Sequence, residues 1–178
     1  MQIEVKSSMK LLLSIIIIGL CAPAFALSGE ANWRAATDKE LKEVIPARVP
    51  VEKERIETEF RTASGITDGH GKFVAGILMI TAGYAAEGKY SHYFIAQVPV
   101  QVGDITLPPG EYVFGSQRVN DETLDVKFYV AANGKLMGNT KAQRGNRRGA
   151  IRSFLITPPD KGTFTLQIGR FVIDCKLT

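Results

Sequence analysis

Leu124, Val126, Phe128 and Val130 alternate with Asp125, Lys127 and Tyr129. A segment with an apolar residue at every second position buries one face only as a β-strand, because successive side chains on a strand point to opposite sides. Asn133-Gly134 follows, a two-residue pair that favours a hairpin turn with positive φ at both positions, and Leu136 to Thr140 is predicted to return as the next strand. The rest of the chain from about Glu54 repeats this logic. Glu111 to Gly115 rises from a turn at Leu107-Pro108-Pro109-Gly110, where proline presets the first dihedral and glycine accepts the positive one. A Pro158-Pro159-Asp160-Lys161-Gly162 stretch separates Ile151–Ile156 from Thr163–Ile168.

Beyond Ile168 the apolar parity shifts to Phe171, Ile173, Cys175 and Leu177. A Gly169-Arg170 turn explains the shift, and so does a bulge inside one long strand. Residues 73–86, FVAGILMITAGYAA, have the length of a helix, but Gly76 and Gly83 weaken one, and Val74, Ile77, Ile80 and Thr81 favour extended chain. We read a hairpin there, with Tyr90 to Gln97 alternating again. About nine short strands at this spacing predict an all-β fold, an antiparallel β-sandwich or partly closed barrel. The Leu107-Pro108-Pro109-Gly110-Glu111-Tyr112 string resembles the LPPGxY turn of transthyretin-like and carboxypeptidase-regulatory-like sandwich modules. The resemblance covers six residues, implies a β-sandwich and carries no site residue across.

Residues 27–53 read as an N-terminal arm ahead of a β domain at 54–178. Thr37-Asp38-Lys39-Glu40 has capping-box spacing and predicts a short helix to about Val44, stopped by Pro46 and Pro50, with Ala47-Arg48-Val49 extended between the prolines.

The first 26 residues have the order of a secretory signal. Lys10 precedes the uncharged run Leu11–Leu20, and Ala24-Phe25-Ala26 offers small residues where a peptidase needs them. The run is half the roughly 20 residues of a membrane span. Met1 and Met9 both fit as the start. Cys21 follows Leu20, where a lipid-modified cysteine follows a small residue, so it is assigned to the removed peptide. The mature chain is then 152 residues, enough for one core. Loss of Lys6, Lys10 and Glu4 lowers the net charge from +4 to +3, too mild to imply a nucleic-acid partner. Cys175 is the one mature cysteine, so no internal disulfide can form. An exported protein, periplasmic or secreted and without a transmembrane span, is the expectation.

The chemistry-bearing residues are few. His70, His92 and Cys175 cannot supply a recognisable zinc site, and the Asp68 turn offers one carboxylate, so no metal and no cofactor is expected. No Gly-x-Ser-x-Gly elbow occurs. Ser91 and His92 are neighbours and on a strand would face opposite ways, which denies them a nucleophile–base pairing. Cys175 lies on an apolar face, where a thiol is inert. Glu87, Asp104, Glu111 and Asp125 are available as paired acids without any pattern that singles them out. No catalytic residue is assigned.

Two features point to binding. Residues 141–152, KAQRGNRRGAIR, carry Lys141, Arg144, Arg147, Arg148 and Arg152 with no acid, on a glycine-punctuated loop that suits phosphate or carboxylate. Tyr90 and His92 are predicted to share a strand face with Phe94, among aromatics with polar tips. The expected function is therefore a non-catalytic binding or accessory module of the cell envelope. Its partner would be an anionic small molecule, glycan or lipid headgroup, or an envelope protein. A hydrolase of extracellular or cell-wall glycans and a structural subunit pairing through a sheet edge are the alternatives. N-terminal sequencing of the exported protein is expected to begin at Leu27. A chain that keeps Leu11–Leu20 in the inner membrane would overturn the signal assignment, and one beginning at a lipid-bearing Cys21 would make it a lipoprotein.

Overall fold

The computed structural model describes residues 32–81, 89–146 and 151–178. It shows a mostly antiparallel β-sheet protein with one short α-helix. In chain order the elements begin with β1 (Arg34–Ala35), α1 (Asp38–Val44), β2 (Arg48–Val51), β3 (Glu54–Glu57), β4 (Ser64–Thr67), β5 (Phe73–Leu78) and β6 (His92–Ala96). There follow β7 (Val100–Val102), β8 (Ile105–Leu107), β9 (Gly110–Arg118), β10 (Thr123–Val130), β11 (Leu136–Arg144), β12 (Arg152–Ile156), β13 (Thr163–Gly169) and β14 (Phe171–Leu177). The fourteen strands among the described residues exceed the nine read from sequence because β1, β7 and β8 are two or three residues long and β2, β3 and β4 only four, too short to show a clear period. No helix among the described residues is long and apolar enough to cross a membrane.

One sheet runs β1-β4-β5-β6-β9-β10-β11-β14-β13-β12. β14 changes partners along its length. Phe171 and Val172 pair with β11, while Cys175 to Leu177 pair with β7, whose hairpin with β8 fills the space where β11 and β14 part. β2 and β3 form a separate hairpin.

Burial explains which strands were legible. β10 alternates as expected, Leu124, Val126 and Phe128 being buried and Asp125 and Lys127 partly exposed. β6 does not alternate, because all five of its residues are buried. Phe94 and Ala96 enter an inner cluster with Tyr112, Phe114, Phe128, Phe154 and Leu166. Tyr93 and Ile95 enter an outer cluster with Leu41, Ile45, Val49, Val51 and Ile56 of the N-terminal segment. A strand covered on both faces becomes a continuous apolar run. α1 supplies Leu41 to that cover, held by the expected capping box: the Thr37 hydroxyl accepts from the Glu40 amide at 3.3 Å, and the Glu40 carboxylate accepts from the Thr37 amide at 2.8 Å. The β2–β3 hairpin supplies Val49, Val51 and Ile56, and its turn falls at residues 52–53.

Three local expectations are corrected or decided. Residues 73–78 are strand, and 82–88 lie outside the described residues. Of Asn133 and Gly134 only Gly134 has positive φ, 67°. The turn there is longer than two residues: the Val130 amide donates to Lys135 O and the Gly134 amide to Val130 O, both at 2.9 Å. The parity shift after Ile168 is a hairpin, since Ile168 faces Phe171 across Gly169-Arg170. The LPPG turn is locked by its own tyrosine, whose hydroxyl (Tyr112) donates to Pro108 O at 2.5 Å. That bond gives the motif a local purpose whatever the surrounding fold.

The last strand of the sheet, β12, pairs by a ladder only with β13. On its other side it meets β4 through one side chain. The Ile156 amide donates to Ser64 Oγ at 2.9 Å, and the Ser64 hydroxyl points back to Ile156 O at 3.4 Å. Phe154 lies on the backbone of β5: a Cβ at Gly76 would stand 2.7 Å from its ring and 2.9 Å from Tyr93 O. Gly76→Ala is expected to lower stability by about 1–3 kcal/mol, the usual cost of overpacking. Urea denaturation measures it, and an unchanged midpoint would show that Phe154 does not press on β5.

Candidate functional site

Six strand ends stand side by side where β9, β10, β11, β14, β13 and β12 meet solvent. Arg118 closes β9, and the Val119 amide donates to Thr123 O to turn the chain into β10. Arg144 closes β11, its amide bonded to Glu122 O at 2.8 Å, and it faces Phe171 in register. The Gly145 amide reaches Arg170 O at 2.9 Å, and Arg152, opening β12, faces Gly169. The ladder thus gathers Arg118, Arg144, Arg170 and Arg152 along one rank.

Two acids share it. Asp121 is 3.3 Å from Arg118, and Glu122 is 3.5 Å from Arg144. All four of these side chains are well exposed, so the pairs contribute little and a ligand anion can compete with them. Arg152 and Arg170 are exposed and make no ion pair among the described residues. The Arg118 guanidinium also lies over the Phe171 ring, 5.6 Å from its centre. Stacking engages the face of the guanidinium, and its N–H edge, which meets Asp121 here, remains a donor to anions.

Of the sequence-predicted basic residues, the structure places Arg144 and Arg152 at this end of the sheet, with β14 and β13 between them. It turns Lys141 away: Lys141 sits between buried Thr140 and Ala142, opposite Asp125, on the other face from Arg144. Arg147 and Arg148 lie outside the described residues. Arg118 and Arg170 were missed. Arg170 lies in the Gly169-Arg170 turn and Arg118 at the end of β9, and only the register of β9, β13 and β14 joins them to the rank.

Tyr90 and His92 do not share a face. The chain bends at Ser91, so β6 begins at His92 and strand alternation does not extend back to Tyr90. Tyr90 packs in the outer cluster, and its hydroxyl donates to Glu52 at 2.5 Å. That hydrogen bond, followed by the charge of Lys89 at 3.7 Å, holds the Glu52 carboxyl below its ordinary range. The Glu52 amide also donates to Ala131 O at 2.7 Å. Together these contacts tie the β2–β3 turn to the turn after β10.

The same bend brings Ser91 and His92 together, against the sequence expectation. Ser91 Oγ is 2.8 Å from His92 Nδ1. His92 is 4% exposed, stacked on Phe114 at 4.6 Å, with no partner at Nε2. Burial pushes its pKa down to about 3. Such an imidazole is a poor base at neutral pH, and no acid orients it, so the pair lacks what nucleophilic catalysis needs.

The acids give no glycosidase pair on β9 and β10. Asp125 faces Gln117, six residues along β9 from Glu111, which is about 20 Å of strand against the roughly 5–10 Å such a pair spans. No group of three or more His, Cys, Asp or Glu that could hold a metal occurs among the described residues. Asp68 closes its own turn, accepting the amides of His70 and Lys72 at 2.8 and 2.9 Å.

No protein-family model matches the chain, and neither a curated protein nor a solved structure matches it.

Burial raises the Cys175 thiol to about 12 and leaves it 2% exposed. The reactive thiolate is absent at neutral pH. An alkylating reagent is expected to spare Cys175 in the folded protein and modify it fully in denaturant, as read by peptide mass mapping. Ready modification under native conditions would contradict the packing of β14.

Proposed function

We propose that this chain is an exported, non-catalytic β module of the cell envelope whose basic rank binds an anionic ligand. The carrying observation is the rank itself: Arg118, Arg144, Arg170 and Arg152 at one end of the sheet between β9 and β12, two of them without an ion pair among the described residues. Guanidinium groups fit phosphate and carboxylate in a bidentate way. The ligand class is therefore a phosphate- or carboxylate-bearing headgroup, glycan or small molecule. Export rests on the run Leu11–Leu20 and the Ala24-Phe25-Ala26 site. In this reading the sheet is a partly closed barrel, its ends drawn together where Ser64 meets Ile156 and Phe154 covers Gly76. The inner cluster of Phe94, Phe114, Phe128 and Phe154 fills the space such a barrel would enclose, which supports recognition at the rim over recognition inside.

The test compares the natural protein with an Arg144→Ser/Arg152→Ser/Arg170→Ser variant on phosphatidylglycerol vesicles, an acidic polysaccharide and phosphorylated small molecules. Binding by the natural protein is expected to weaken with salt, and the variant to bind at least about tenfold less tightly, the effect of losing one good charge-assisted bond. Circular dichroism verifies that the variant folds. Equal profiles for the two proteins, or no binding by either, would remove the rank from the reading.

A further inference from the structure

His92 lies beneath the weakest line in the sheet. β12 has its ladder with β13 on one side, whereas toward β4 a single side chain, Ser64, bonds Ile156. What presses β12 onto the sheet is Phe154, 3% exposed, seated on Gly76 and 5.3 Å from the His92 ring. His92 is sandwiched there, flat against Phe114 at 4.6 Å and 2°. Its one polar contact is Ser91 Oγ at Nδ1, and Nε2 has no partner.

Among the described residues no buried anion stands by to balance a proton on this ring. β5 carries no charged side chain. β9 carries Glu111 and Arg118, and β12 carries Arg152, and all three are exposed. Tyr93, next to His92 on β6, faces the outer cluster. A buried charge without a partner is strongly unfavourable, and stacking an imidazolium on Phe114 offsets only part of that. A protonated His92 therefore needs water, and the route that breaks fewest bonds is to lift β12.

We infer that His92 is an acid-sensitive latch: its protonation releases β12 from the β4–β5 side while the rest of the sheet stays folded. The direction follows from linkage. The folded ring has a pKa lowered to about 3 by burial, while a hydrated imidazole has about 6.5. Stability from the closed seam is complete above about 6.5 and is lost as pH falls below it. Between pH 7 and 5 the open population rises about 25-fold, in a window that lies above the ordinary carboxylate pKa values of about 4.

The Ile156 amide reports the seam, since its partner is Ser64 across it. Hydrogen exchange is measured by NMR on the natural protein at pH 7, 6 and 5, corrected for intrinsic rates. Exchange at Ile156 is expected to accelerate about 25-fold over that range, while Val126 and Phe128 in the middle of β10 do not change. His92→Phe, which keeps the stack without the titration, is expected to abolish the acceleration. A flat Ile156, equal acceleration in β10, or full acceleration in His92→Phe would each overturn the latch. If that variant does not fold, the shape of the Ile156 exchange profile of the natural protein decides the matter. A bend near pH 6.5, about the value of a hydrated imidazole, supports the latch, and a profile with no bend between pH 7 and 5 overturns it.

Discussion

His92, Phe94 and Ala96 point to one side of β6 and Tyr93 and Ile95 to the other, and every one is buried. This two-sided burial is what the rest of the structure must satisfy. A single sheet has two apolar faces to hide only if something covers each. The inner face is buried in one cluster that joins Phe94 and Phe114 to Phe154 of β12 and to Phe164 and Leu166 of β13. The outer face is covered by α1 and the β2–β3 hairpin. At about 25 cal/mol per Å² of apolar surface removed from water, the outer cover is worth several side chains of about 2 kcal/mol each. The N-terminal segment is thus part of the core of this protein, and Glu52 with Tyr90 fixes where it lies.

The sequence was most legible where one face meets water. β10 and the capping box follow directly from local pattern, because solvent on one side preserves the alternation or because a capping residue announces itself, whereas after Ile168 the pattern left a hairpin and a bulge open and the structure decides for the hairpin. β5 carried no such pattern, and the alternation read over Tyr90 to Gln97 does not hold in β6, since both their faces are buried. The Tyr90–His92 expectation failed for a related reason. Alternation assumes an unbroken strand, and the bend at Ser91 resets it, sending Tyr90 outward and bringing Ser91 back onto the His92 ring.

The basic rank was half legible. Arg144 and Arg152 stand in one acid-free stretch of sequence, so their charge is visible there, but the distance between them is not. Only the pairing of β11 with β14, β14 with β13 and β13 with β12 sets them at the same end of the sheet, with two strands between them. The same pairing adds Arg170 from a turn that charge alone would not select. It removes Lys141, whose odd separation from Arg144 sends it to the opposite face. Register, a long-range property, decides which cations act together.

β12 belongs to both ends of this chemistry. Arg152 opens it in the basic rank, and Ile156 closes it at the seam with Ser64. Only four residue steps, about 13 Å of strand, separate the two. A strand this short moves largely as one piece, held by the β13 ladder on one side and by packing on the other. An anion that grips Arg152 together with Arg170 therefore bears on the same strand that His92 underlies. If it prefers β12 docked, it holds the seam shut, and by linkage a shut seam binds that anion more tightly. Proton and anion then act on one equilibrium from opposite sides: the proton favours the lifted strand, and the anion the seated one.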